Sequence, residues 1–76
     1  MTRLTLYTRS GCHLCEDAVA VLARIGEPFE EIDISGDREL EAEYGDRIPV
    51  IMLDGREHGY WRVEEQRLRR DLAKAS

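Results

Sequence analysis

The chain has 76 residues, 42% hydrophobic and 36% charged, the profile of one soluble globular domain rather than of a disordered segment. Eleven basic against sixteen acidic residues leave a formal charge of −5, which argues against nucleic acid as the main partner, because phosphate binding wants clustered positive charge. No apolar run approaches the roughly 20 residues that span a bilayer, no signal peptide is visible, and two cysteines are too few for a disulfide-stapled secreted domain, so a cytoplasmic chain with no membrane role is expected.

Arg3–Thr8 alternates apolar and polar residues, as a strand with one face more buried does. Ser10-Gly11 breaks it. Leu14, Ala18, Val21, Leu22 and Ile25 then fall on one helix face, which Gly26 and Pro28 end. Glu16 and Asp17 lie in its first turn, where the helix dipole favours negative charge. Phe29–Ile34 reads as a second strand, parallel to the first because the connection passes through a helix. Ser35-Gly36-Asp37 can start a short helix carrying Leu40 and Tyr44 and closed by Gly45.

Ile48–Leu53 is an apolar, β-branched run suited to a central strand buried on both faces, with Pro49 at its first position. Asp54-Gly55 signals a two-residue hairpin into a final strand from Arg56 to about Trp61. Val63, Leu68 and Leu72 mark a C-terminal helix. The order is β-α-β-α-β-β-α over one domain, residues 1–76, with no linker or repeat. Residues 27–46 carry nine acidic groups against one arginine, and residues 62–76 carry five basic against three acidic groups; both read as solvated faces.

The two cysteines, Cys12 and Cys15, carry the chemistry. Cys-x-x-Cys serves redox, zinc and iron–sulfur sites alike, but here it spans a strand-to-helix turn. Cys12 falls at the helix N-terminus, where unpaired N–H groups and the dipole stabilise a thiolate. The magnitude matters, because a thiol of ordinary pKa is only about 3% thiolate at pH 7, and one lowered to about 6 is about 90% thiolate. Arg9 and His13 could add positive charge nearby. Cys15, three residues on, shares the helix face and can close a disulfide with Cys12. The chemistry expected is attack by Cys12 on a disulfide and resolution of the mixed disulfide by Cys15.

Tyr7-Thr8-Arg9-Ser10-Gly11-Cys12-His13-Leu14-Cys15 resembles the active-site strand–turn–helix of glutaredoxins. Gly45-Asp46-Arg47-Ile48-Pro49-Val50 resembles the segment that carries the cis-proline of the thioredoxin fold, and Asp54-Gly55 the hairpin after it. The match spans nearly the whole chain and is nearest to small bacterial glutaredoxin-like proteins with a Cys-His-Leu-Cys motif. The resemblance implies a thioredoxin/glutaredoxin-like α/β fold: a four-stranded mixed sheet with helices on both faces. It implies a monomeric thiol–disulfide oxidoreductase acting on protein or small-molecule disulfides, with glutathione or a thioredoxin reductase as electron source and no tightly bound cofactor or metal.

For Pro49 the resemblance implies a cis peptide bond against the cysteine pair, leaving the preceding backbone free to pair with a substrate strand. The site residues implied are Cys12 and Cys15 as catalysts and Arg9, His13, Leu14, Arg47, Ile48 and Pro49 around the substrate, with Arg47 able to reach a carboxylate. The chain departs from typical glutaredoxins in two places. His13-Leu14 replaces Pro-Tyr between the cysteines. After the last strand, His58-Gly59-Tyr60-Trp61-Arg62-Val63-Glu64-Glu65 keeps one glycine of a Gly-Gly pair, with Glu64 or Glu65 in place of the acidic residue that helps hold glutathione.

Other readings stand beside these. Cys12 and Cys15 are half of a tetrahedral zinc site that His13 or His58 would have to complete, or could bridge an iron–sulfur cluster. The fold could also serve protein contacts with no redox role. His58 reads as an exposed strand residue, and Tyr60 and Trp61 as packed between the sheet edge and a helix or else as an apolar surface for partner proteins.

Overall fold

A computed structural model of the chain describes residues 2–74. Its elements are β1 (Leu4–Thr8), α1 (His13–Ile25), β2 (Phe29–Asp33), α2 (Arg38–Tyr44), β3 (Val50–Leu53), β4 (Arg56–Tyr60) and α3 (Glu65–Lys74). The sheet order is β2-β1-β3-β4. β1 runs parallel to β2 and antiparallel to β3, and β3 runs antiparallel to β4. This is the mixed thioredoxin/glutaredoxin-like sheet that the family resemblance implies.

The pleat divides the apolar side chains between the two faces. Leu4, Leu6 and Ile51 point to one face and pack with Ala18 and Leu22 of α1 and Leu68 of α3. Val50 points to the other, where it clusters with Ile34, Ile48 and Cys15 against Tyr7, Met52 and the α2 residues Leu40 and Tyr44. Helices therefore cover both faces, α1 and α3 on one and α2 on the other. Full burial in the third strand is limited to Val50 and Ile51, with Met52 and Leu53 half-buried. Pro49 immediately precedes the strand rather than opening it.

Local signals set most boundaries. Gly26 caps α1 in the left-handed region at φ 89, its N–H on the Leu22 carbonyl. Asp37 caps α2, its carboxylate accepting from the Leu40 N–H at 3.0 Å. Asp54 and Gly55, at φ 53 and 82, make the tight hairpin. Gly45 differs from expectation, because it is right-handed at φ −56 and so is not needed for a left-handed cap. Close approach requires it: a Cβ there would collide with the Glu41 carbonyl and lie 3.0 Å from the Arg9 guanidinium.

Two side chains leave the places their periodicity predicts. Leu14 is not part of the buried stripe of α1; Cys15 takes that place beside Ala18 and Leu22, and Leu14 is half exposed. His58 is not an exposed strand residue. The β3–β4 register shifts at Ile51/Met52, pairing Ile51 with Gly59 and Met52 with Glu57, so His58 is the extra residue of β4. Such a bulge re-aims a side chain. His58 turns inward, its side chain only 7% exposed, and meets Asp71 of α3 at 2.8 Å.

Candidate active site

The site forms where β1 hands over to α1. Gly11, at φ 75, turns the chain so that Cys12 becomes the N-cap of α1. Cys12 Sγ accepts from the Cys15 N–H at 3.1 Å, the bond a serine or aspartate cap would make. Any negative charge on that sulfur faces donated N–H and the positive end of the helix dipole. Cys12 is partly exposed and Cys15 is 4% exposed beneath it. Burial pushes the Cys15 thiol up to about 12; its hydrogen bond with Cys12 adds to the rise, and a hydrogen bond with the Arg9 backbone opposes it. Both cysteines are free thiols.

The turn is fastened from the β2 side. Asp33 Oδ2 accepts from the Ser10 hydroxyl at 2.8 Å and Oδ1 from the Ser35 N–H at 2.8 Å, while Ser35 Oγ accepts from the Ser10 N–H at 3.3 Å. These bonds, the Ser35 N–H first, hold the Asp33 carboxyl below its usual range. Sequence reasoning missed Ser10, Asp33 and Ser35 as a unit. The available signal was Asp-x-Ser at the strand end, an Asx-turn pattern. A groove of about 520 Å³ runs from Cys12 and Cys15 past Ser10, Glu16, Val19, Glu31 and Asp33.

The residues expected around the substrate separate into those at the cysteines and those engaged elsewhere. Ile48 packs with Cys15, and Cys12 packs against the same cluster. The Ile48–Pro49 bond is cis, and Pro49 is fully buried. Among the described residues no hydrogen bond involves the Ile48 backbone. Leu14 stands exposed between the cysteines.

Arg9 lines the groove, but its guanidinium is paired with Glu41 of α2. Arg47 donates to the Glu43 carbonyl at 2.9 Å and lies 5.7 Å over the Tyr44 ring, which stacks on Tyr7 at 4.5 Å. Its Nε is 3.3 Å from Glu57, an ion pair by distance whose N–H is not aligned for a hydrogen bond. Both arginines thus tie α2 to the site loops.

The His13 side chain is 95% exposed and lies 4.0 Å from Glu16. His58 is engaged with Asp71, and among the described residues no group of three or more His, Cys, Asp or Glu is placed to hold a metal ion. Glu65, a candidate for holding glutathione, is instead gripped by Arg24 at 2.6 Å and Arg69 at 2.9 Å, and Glu64 by Arg67 at 3.1 Å. Tyr60 and Trp61 are not packed between sheet and helix. They are 46% and 55% exposed and meet edge to face.

Residues 3–73 match the family model of the glutaredoxin-like domain (DUF836). The chain belongs to the glutaredoxin-like domain family. An uncharacterised protein of Mycobacterium tuberculosis is 41% identical over 83 residues, covering 97% of this chain and 86% of that protein. The X-ray structure of protein XcR50 from X. campestris superposes with a TM-score of 0.82 at 43% identity, covering 96% of this chain and 99% of that one. A glutaredoxin from Archaeoglobus fulgidus shares the fold, with a TM-score of 0.70 at 21% identity over 99% of this chain and 89% of that one. The glutaredoxin-like chain is thus a thioredoxin-fold module with its two cysteines on one turn of helix.

Proposed function

We propose that the chain is a dithiol–disulfide oxidoreductase of glutaredoxin type. One observation carries the reading: a partly exposed cysteine sulfur caps a helix beside a buried second thiol. The Cys12 thiolate attacks one sulfur of a substrate disulfide, forming a mixed disulfide and releasing the other sulfur as a thiolate that takes a proton. Cys15 then loses its proton and attacks Cys12 Sγ. The Cys12–Cys15 disulfide forms, the second substrate thiol leaves, and two electrons have passed to the substrate. The high pKa of Cys15 suits this order. It keeps the second thiol out of competition until Cys12 is bonded to substrate, when the hydrogen bond and charge of Cys12 no longer oppose its ionisation.

Ile48 beside the pair offers an unpaired backbone N–H and carbonyl to an extended substrate segment, as the family resemblance implies. The dithiol is regenerated by glutathione or a thioredoxin reductase, and a reducing compartment such as the cytoplasm suits that cycle. The test is insulin reduction, run once with glutathione and its reductase and once with thioredoxin reductase. Wild type should be active in at least one assay, Cys12→Ser in neither, and Cys15→Ser should accumulate a mixed disulfide with substrate. Undiminished turnover by Cys12→Ser would refute the proposal.

A further inference from the structure

The large apolar side chains that stand exposed among the described residues are Leu14, Tyr60 and Trp61, at 50%, 46% and 55%. Leu14 adjoins the cysteines along α1, Tyr60 pairs with Val50 just after the Ile48–Pro49 bond, and Trp61 is bonded to that loop. Leu14 lies between the cysteines on α1. The Trp61 N–H donates to the Pro49 carbonyl at 2.8 Å, and its indole N–H donates to the Asp46 carbonyl at 3.3 Å. Ile48 of that loop packs with Cys15. Tyr60 and Trp61 brace one another, ring centroids 5.0 Å apart.

Trp61 is also held at φ 69, a region costly for a bulky side chain. Neither backbone preference nor burial accounts for an indole there. Tyr60 and Trp61 together present an exposed aromatic pair, bonded to the loop that carries Ile48 and Pro49.

The charges around the patch decide what fits it. Arg9 is paired with Glu41, and Arg47 is engaged by Glu57 and the Glu43 carbonyl. The side chains of Glu16 and Asp46 are 75% and 86% exposed, and among the described residues Arg62 makes no ion pair. This rim has no excess positive charge to hold a small thiol bearing two carboxylates, but it does present apolar area. Resting on the disulfide-exchange reading above, we infer that the substrate is a protein disulfide in an extended segment, whose large apolar side chain beside the reactive cysteine seats against Trp61, Tyr60 and Leu14. Trp61 is then a specificity-determining residue, and truncating it should cost about tenfold on such a substrate.

The test is a single-turnover measurement. The chain is reduced, freed of reductant and mixed with three disulfides in turn. Two are mixed disulfides of 2-mercaptoethanol with a decapeptide cysteine flanked either by Phe and Leu or by Gly on both sides. The third is oxidised glutathione. Oxidation of the Cys12–Cys15 pair is followed by acid quench, alkylation and mass. The Phe/Leu peptide should react about tenfold faster than the Gly peptide and oxidised glutathione. In Trp61→Gly, which glycine's tolerance of positive φ allows to fold, and in Leu14→Ser on the exposed helix face, the ratio between the two peptides should fall toward one. Trp61→Phe should keep most of it.

Equal rates on the two peptides, a faster rate on oxidised glutathione, or an unchanged ratio in folded Trp61→Gly would overturn the inference while leaving disulfide exchange standing. Failure of all three substrates to oxidise the pair would overturn the exchange reading and this one with it.

Discussion

Cys12 and Cys15 are chemically the same residue type in unlike places. One caps a helix at the surface, and the other is buried with its thiol pushed up to about 12. Native alkylation should therefore distinguish them. With iodoacetamide at pH 8 the folded, reduced chain should take up one label, on Cys12, and a second only on unfolding; comparable labelling of both thiols in the native state would show that Cys15 is not shielded. Gly45 makes a second residue-scale case. Its φ of −56 is helical, so replacing glycine by alanine would ordinarily stabilise by about 0.4–1 kcal/mol. Here the added Cβ meets the Glu41 carbonyl and the Arg9 guanidinium. Gly45→Ala should instead destabilise by about 1–3 kcal/mol in urea unfolding, the cost of overpacking.

Among the elements, α1 and α3 are joined at the surface by Glu65, which accepts from Arg24 of α1 and from Arg69 one turn along α3. These bonds, Arg24 first, lower the Glu65 carboxyl to about 2 from an ordinary 4.5. A depressed carboxylate stabilises the fold above its unfolded pKa and loses that contribution as pH falls toward its folded one. Glu65 thus supports the helix pair fully above pH 4.5 and progressively less down to about 2. Glu65→Gln should melt below wild type at pH 7, and the gap should narrow steadily below pH 4.5 and have lost most of its size by pH 2.5. A gap of constant size from pH 7 to pH 2.5 would mean that the charge of Glu65 is not what joins the helices. Solvent screening keeps the effect modest. β4 and α3 are linked differently, through the bulge that turns His58 onto Asp71, and that pair holds the Asp71 carboxyl below its usual range.

At the scale of the whole molecule, the two apolar clusters lie on opposite faces of one sheet and have different consequences. Leu68 and Ile34 are both fully buried. Truncating either to alanine should cost about 2–5 kcal/mol, a large share of the stability of a chain this size. Only Ile34 packs in the cluster that shields Cys15. Ile34→Ala should therefore speed native alkylation of Cys15 beyond what Leu68→Ala does at matched loss of stability. Equal acceleration by both would mean that Cys15 reacts through global unfolding alone.

Much of this was legible along the chain. The element order, the hairpin at Asp54-Gly55, the cap at Gly26 and the position of Cys12 at a helix start all follow from periodicity and turn chemistry, which act over a few residues. The polar partners were not legible, because they are set by residues distant in sequence. Arg9 finds Glu41, 32 positions away, and His58 finds Asp71 through a one-residue bulge that no pattern announced. The same holds for exposure. Leu14 yields the buried stripe to Cys15, and Tyr60 and Trp61 end in solvent.

Periodicity, turn residues and the Cys-x-x-Cys spacing thus suffice to place a thiol pair on a strand–turn–helix within a β-α-β-α-β-β-α chain. Only the tertiary structure decided which thiol is shielded, that Arg9 and Arg47 are spent on α2, and that Leu14, Tyr60 and Trp61 stand exposed. The physical reason is that local backbone preferences are written in neighbouring residues, whereas burial, ion pairing and surface character depend on what the folded chain brings alongside.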